Sequence, residues 1–359
     1  MLQMKKISRF LILFLLGTLI ILGCQSKPNT STNNVSDSAV LNIYNWADYI
    51  APEVLQQFEQ EFKAKINYDT YDSSDALYAK LKAGNPGYDL VFPQDVYVKI
   101  MAKEGLLEEI SPQNITNIKH LDKQLIDQDF DPKNQYSIPY VWGALGLGYN
   151  GEKTGEKIDS WQQIFSRKYQ GQVAVNDDPR AMLGVILIYL GYSPNTTNPQ
   201  EIEQAKNFLL EHKANIAAFA ADNGENLLEQ GEVTIIVEWN GDILKRVQEN
   251  PKLRYAFPKE GSLISIDNLC IPKDAPHKEL AEKFINFMSA PEMAAKNANF
   301  VHYATSNQTA LDQGLINQKD RHNPGIYPPA EIRKKLTFLQ NVGQATALYD
   351  QAWTEIKAQ

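Results

Sequence analysis

Carboxylates and aromatic rings gather where apolar runs of this 359-residue chain end. The fullest cluster is Tyr44-Asn45-Trp46-Ala47-Asp48-Tyr49, which closes an alternating strand pattern. Glu238-Trp239-Asn240-Gly241-Asp242 follows the apolar run that begins at Val233, and Asp177-Asp178 stands just before Pro179 at an expected helix start. Asp267 interrupts Leu263, Ile264, Ile266, Leu269 and Ile271, and Tyr303 follows Val301-His302. Such residues can hold an organic cation. An ammonium is attracted both to a ring face and to a carboxylate, each contact contributing roughly 0.5–2 kcal/mol once water is excluded. Any one stretch has an ordinary explanation: Trp46, Tyr49, Trp239 and Tyr303 as packing residues, Asp48 and Asp178 as helix caps. That explanation is weakest for the two acids flanking Trp239 and for Asp267, since a lone carboxylate in an apolar strand is costly unless paired or facing a cleft.

Other chemistries find little support. The chain contains no G-x-S-x-G elbow, no H-E-x-x-H and no P-loop, and His120, His212, His277, His302 and His322 lack ligand-like spacing. No catalytic residue, metal site or cofactor is therefore expected, and the protein is not read as an enzyme. Asp127, Asp129 and Asp131 imitate a calcium loop, but Pro132 and Ile138 stand where its turn glycine and bidentate glutamate belong. Gly146, Gly148 and Gly151 spell G-x-G-x-x-G; the dinucleotide reading is rejected because residues 152–155 are not expected to open a helix and no acid lies at the required distance beyond. A formal charge of −8 argues against a nucleic-acid partner and suits a cationic ligand.

The elements that must position these groups begin after an export signal. Lys5, Lys6 and Arg9 precede the apolar run Phe10–Ile21, too short for a permanent membrane span, and Leu22-Gly23-Cys24 resembles the lipobox of bacterial lipoproteins. This predicts a signal peptide over 1–23, lipidation of Cys24 and a polar, flexible tether over 24–39. With Cys24 acylated, Cys270 has no partner for an intrachain disulfide. From Val40 onward strand and helix patterns alternate, the mark of an α/β fold. Strands are expected at 40–45, 66–70, 89–92, 172–176, 233–238 and 253–257, with helices from Pro52, after Ser73, at 179–190, 202–210 and 280–288. The segments 136–150 and 263–271 read as crossovers between two lobes, with glycines supplying hinge torsions. Lobe 1 is then 40–142 plus 264–313, and lobe 2 is 143–263 plus 314–359.

The chain also resembles the periplasmic spermidine/putrescine-binding proteins of bacterial ABC transporters along nearly its whole mature length. The matching words are Tyr-Asn-Trp-Ala-Asp-Tyr at 44–49, Tyr-Ala-Lys-Leu-Lys at 78–82, Tyr-Asp-Leu-Val at 88–91, Tyr-Ser-Ile-Pro-Tyr-Val-Trp-Gly at 136–143, Trp-Asn-Gly at 239–241, Pro-Lys-Glu-Gly at 258–261 and Gly-Ile-Tyr-Pro-Pro-Ala at 325–330. The resemblance implies a two-lobed periplasmic-binding-protein fold with a ligand cleft between the lobes, and a monomeric, lipid-anchored receptor that delivers polyamines to permease subunits in the membrane. It places polyamine contacts at Trp46, Asp48, Tyr49, Asp178, Trp239, Asp242, Asp267 and Tyr303. The chain departs from the family pattern in four places: Ala181 replaces a glutamate, Ser265 a large aromatic, Leu339 a glutamine, and Gln94-Asp95-Val96 a run that often carries small hydroxyl residues. Asp95 or Glu238 could supply the missing carboxylate. Two alternatives stand beside this reading: the same scaffold holding another amine, an amino acid or a peptide, and, remotely, a hydrolase using Asp177 and Asp178 as paired carboxylates.

Overall fold

A computed structural model describes Ala39–Ala221 and Asn223–Gln359. The expected signal peptide, Cys24 and the tether up to residue 38 lie outside the described residues; Ala39, expected as the tether's last residue, begins the first strand.

Strand β1 (Ala39–Trp46) is followed by the helix Pro52–Phe62, which Pro52 can open because a first-turn residue has no amide partner to lose. The helix stops where Lys63 turns left-handed. Strand β2 (Ala64–Tyr71) leads to the helix Ser74–Lys82, whose cap is the Ser73 hydroxyl accepting from the Ala76 amide at 3.1 Å. Strand β3 (Leu90–Val91) runs through Phe92-Pro93-Gln94 into the helix Asp95–Lys103. Both β2 and β3 lie parallel to β1, with Trp46 opposite Tyr71 and Tyr44 opposite Val91, so the three carboxyl ends emerge at one edge of the sheet.

The long strand β4 (Ser137–Asn150) is buried along nearly all its length. Then come β5 (Val173–Asn176), β6 (Ile216–Ala220), β7 (Ile235–Trp239), β8 (Leu253–Ala256) and β9 (Ser262–Cys270). The strand order is β2-β1-β3-β9-β4-β7-β5-β6, with β8 on β4. Residues 137–144 of β4 pair antiparallel with β9, while 145–150 pair with β7 and β8. Strand β5 is parallel to both β6 and β7, so Asn176, Ala220 and Trp239 also end together. One core gathers Ile43, Phe58, Phe92 and Phe284; another gathers Trp161, Leu183, Ile186 and Tyr349. The apolar helix Pro179–Tyr189 is buried from Ala181 to Leu187 and belongs to the second core. No helix of the described residues is long and apolar enough to cross a membrane.

Two expectations about the crossover need correction. Gly143, Gly146, Gly148 and Gly151 do not take positive φ, so they do not supply unusual torsions. The first three are glycines for want of space: an added Cβ would meet Tyr303 at Gly143, the Tyr255 ring at Gly146, and Ile236 and Ile243 at Gly148, whereas Gly151 has room for one. In addition, Gly151–Thr154 does open one turn of helix, capped by Asn150. Dinucleotide binding stays rejected on different grounds, because Gly146 and Gly148 are interior strand residues covered by side chains and cradle nothing. In the calcium-loop mimic, Asp131 is buried and accepts from the amides of Gln135, Tyr136 and Ser137 and from the Ser137 hydroxyl, which makes it a loop clamp. Among the described residues no cluster suited to a metal ion occurs.

Candidate functional site

The carboxyl ends of β1, β2, β3, β5 and β7 border a cavity of about 850 Å3, open solvent at its mouth included. Open α/β sheets offer ligands this position because the loops leaving parallel strands diverge there. Trp46 and Tyr49 come from the end of β1, Asp72 and Asp75 from β2, Gln94 and Tyr97 from β3, Asp177 and Asp178 from β5, and Trp239 and Asp242 from β7. The antiparallel pair β4–β9 contributes Gly143, Ser265 and Asp267, and Tyr303 completes the wall. Six lining residues are aspartates and none is Lys, Arg or His; of the six, Asp177 alone has an ion pair among the described residues, with Lys357 behind the wall. Asp75, Asp95 and Asp242 each sit in the first turn of a helix, where the backbone amides favour a carboxylate.

Asp267 lies in the middle of β9 opposite Val141, and Gln94 bridges to it from the other side. Its Oδ2 accepts from the Tyr49 hydroxyl at 2.5 Å, while its Oδ1 is buried with no hydrogen-bond partner. Burial pushes this carboxyl up to about 7; the Tyr49 hydrogen bond opposes the shift and the charges of Asp95 and Asp242 add to it. Asp242 accepts from the Tyr303 hydroxyl at 2.6 Å and is likewise pushed to about 7, first by burial. Tyr49 and Tyr303 stand edge to face at 5.6 Å, so two phenols and two carboxyls form one linked group. Trp46 packs 4.6 Å from Tyr71 and donates its indole N–H to the Phe92 carbonyl at 3.2 Å, which fixes the ring plane.

A second acidic group stands at the ends of β2 and β5. Asp178 caps the helix Pro179–Tyr189 through the Ala181 amide at 2.9 Å; burial raises its pKa and the charge of Asp75 adds to the rise. Asp75 accepts from the Tyr97 hydroxyl. Asp177, although it also lines the cavity, is engaged with the Trp353 indole at 2.9 Å and the Lys357 amine at 2.6 Å. With Asp177 neutralised by Lys357, only Asp178, one of whose oxygens caps the helix, is left to face the cavity, so the arrangement does not present two free carboxyls to one scissile bond.

Seven of the eight residues expected at the site line the cavity: Trp46, Tyr49, Asp178, Trp239, Asp242, Asp267 and Tyr303. Asp48 does not. The backbone turns left-handed there, leaving the side chain 80 % exposed and 3.5 Å from the Lys245 amine, beside an adjoining hollow. Of the two acids considered as substitutes for the absent glutamate, Asp95 is buried behind Ser265, whose hydroxyl donates to it at 3.0 Å, and is pushed to about 7 by burial. Glu238 is buried and accepts from the Asn176 amide at 3.1 Å and the Trp239 backbone at 2.9 Å. Ala181 is wholly buried in the second core, and Leu339 packs against that core. The sequence reading did not single out Asp72, Asp75 or Tyr97 for the site.

The family profile of the bacterial extracellular solute-binding proteins matches residues 53–324. The spermidine/putrescine-binding periplasmic protein of Escherichia coli strain K12 is 38% identical over 330 residues, covering 91% of this chain and 94% of that protein. The spermidine/putrescine ABC transporter substrate-binding protein of Streptococcus pneumoniae, solved with calcium and HEPES, superposes with a TM-score of 0.79 at 35% identity over 89% of this chain and 99% of its own. A lipoprotein of Treponema pallidum does so with a TM-score of 0.79 at 27% identity, over 89% and 100%. The expected two-lobed α/β architecture is thereby borne out.

Proposed function

The chain belongs to the bacterial extracellular solute-binding proteins, whose work is capture rather than catalysis, and from that premise we propose that it binds spermidine or putrescine in the cleft and delivers it to an ABC transporter permease. The observation that carries this reading is the buried, partnerless Asp267 Oδ1 in a cavity wall with six aspartates and no base. An unsatisfied buried acceptor costs free energy that an entering ammonium returns as a charge-assisted hydrogen bond. Asp242, Asp267 and Asp178 take the ammonium groups, with Asp75 beside Asp178. Trp46, Tyr49, Trp239 and Tyr303 enclose the methylene chain, whose apolar carbons gain from ring surface. Asp48, outside the cavity, holds Lys245 rather than ligand.

In this reading lobe 1 (40–142 plus 264–313) and lobe 2 (143–263 plus 314–359) close on the ligand about β4 and β9, near the switch of partners between Ala144 and Leu145. The protein acts as a monomer held in the periplasm by lipid on Cys24, a reading supported by the charge-then-apolar leader and by the Treponema pallidum relative being a lipoprotein. Titration calorimetry against putrescine, spermidine, arginine and a short cationic peptide tests the ligand. Binding of the linear amines with a margin of at least tenfold over the others is expected. A preference for arginine or the peptide would transfer the cleft to a bulkier ligand, for which Ser265 leaves room.

A further inference from the structure

Beside the main cavity lies a recess of about 790 Å3, open solvent included, with Tyr44, Thr70, Tyr71, Asp72 and Ala76 on one side and Ala221 and Asn223 on the other. It adjoins the main cavity across Ala47 and Asp72, which border both. Three phenols meet at this place: Tyr44 stacks on Tyr88 at 4.5 Å and meets the edge of Tyr71 at 4.9 Å. Two of the hydroxyls are engaged, Tyr71 donating to the Phe92 carbonyl at 2.8 Å and Tyr88 to Asp69 at 3.0 Å. Tyr44 is only 6 % exposed, yet its hydroxyl makes no hydrogen bond with any described residue. Burial, then the charges of Asp72 and Asp69, keep that phenol protonated, so its oxygen remains a neutral acceptor. Asp72 is exposed and has no ion pair among the described residues. The recess thus joins the unpartnered hydroxyl of a largely buried tyrosine to an unneutralised carboxylate, without a basic side chain in its lining.

We propose that the Tyr44–Asp72 recess is a second cation subsite, which holds the outer ammonium of a linear amine longer than a diamine while the inner nitrogens occupy the main cavity. This rests on the polyamine reading of that cavity. An ammonium donates three hydrogen bonds; here it finds the Tyr44 oxygen, the Asp72 carboxylate and tyrosine ring surface in one place. A diamine seated in the main cavity has no nitrogen left to reach it.

Calorimetric titration of the purified protein with putrescine and with the linear tetraamine spermine separates the two sites. Tyr44→Phe keeps the stacking and removes only the acceptor; it is expected to weaken spermine about fivefold and leave putrescine within twofold. Ala76→Lys sets a permanent cation in the recess and is expected to weaken spermine tenfold or more, with putrescine changed less than threefold. Equal losses for both amines, or no loss for either, would overturn the subsite. A parent protein that binds neither amine would instead remove the reading of the main cavity, and this proposal with it.

Discussion

The two oxygens of Asp267 stand in unlike surroundings: Oδ2 accepts from the Tyr49 hydroxyl at 2.5 Å, and Oδ1 is buried with no partner. A strand interior normally excludes such an atom, since a buried unsatisfied acceptor costs about 1–3 kcal/mol. Strand β9 tolerates it because the side chain faces the cavity, where an ammonium completes its bonding.

Replacing Asp267 by Asn removes the charge and keeps the shape. The bound state loses a charge-assisted hydrogen bond of ~1.5–3 kcal/mol, about tenfold to a hundredfold in affinity for spermidine and for putrescine. The free protein loses nothing comparable, since Asn keeps an oxygen for the Tyr49 hydroxyl and removes a charge that burial disfavours. Calorimetry together with the ligand-free thermal midpoint checks both halves. Unchanged affinity with a sharply lower midpoint would make Asp267 a structural residue.

The elevated carboxyls also set a pH dependence. Asp267, Asp242 and Asp95 are each raised to about 7 from an ordinary value of 3.8, chiefly by burial. Between those two values the folded, ligand-free protein holds protons that the unfolded chain has released, so these groups stabilise the fold in acid and the contribution declines as pH rises toward 7. Ligand binding has the opposite sign, because an ammonium favours the ionised carboxylate. Affinity is therefore expected to fall by about tenfold per pH unit below 7 for each carboxyl that must ionise. Titrations at pH 6 in buffers of different ionisation enthalpy are expected to report proton release, and none at pH 9. Binding that is flat from pH 5.5 to 8 would contradict the assignment of Asp267 and Asp242 to the ligand.

Asp48 provides the contrast. Its ion pair with Lys245 is largely exposed, 80 % on the aspartate side, and such pairs contribute about 0–1 kcal/mol. Asp48→Ala is expected to change polyamine affinity less than threefold, measured by the same titration. A loss matching that of Asp267→Asn would return Asp48 to the ligand.

The places where sequence reading succeeded and failed follow from what each residue does locally. Alternation in β1 and the Pro52 and Ser73 helix starts are local signals, and the corresponding elements form where expected. Strand β6, Ile-Ala-Ala-Phe-Ala at the sheet's edge, carries mostly small side chains and only one buried residue, so its pattern has little contrast. Asp75 reads in sequence as part of a helix start, which it is; only the parallel register of β1, β2 and β3 brings that start into the cavity wall. The pairing of Asp48 with Lys245 and the close packing over Gly146 and Gly148 by Tyr255 and Ile243 likewise involve distant partners that no local window contains.

The same dependence on distant partners makes Gly241 a sensitive position. Its backbone lies against Cδ2 and Cε2 of the Tyr303 ring, while Gly143 lies against Cδ1 and Cε1, and an added Cβ at either glycine would overlap the ring. Gly241 belongs to the first turn of the helix Asn240–Glu249, where alanine is the better helix former, so the local effect of Gly241→Ala on the helix is favourable. The ring, however, must move away from its seat, carrying the Tyr303 hydroxyl off Asp242, to which it now donates at 2.6 Å. One wall of the cavity and the partner of one carboxyl are displaced together. Gly241→Ala is expected to weaken putrescine at least tenfold, whereas Tyr303→Phe, which keeps the ring seated and removes only the hydroxyl, is expected to cost about fivefold. Gly241→Ala combined with Tyr303→Ala removes the overlap, so the second substitution adds little to the first. Calorimetry on these three variants and on Tyr303→Ala alone tests this ordering. Full additivity of the two losses would mean that Gly241 acts on the ligand by a route other than the Tyr303 ring.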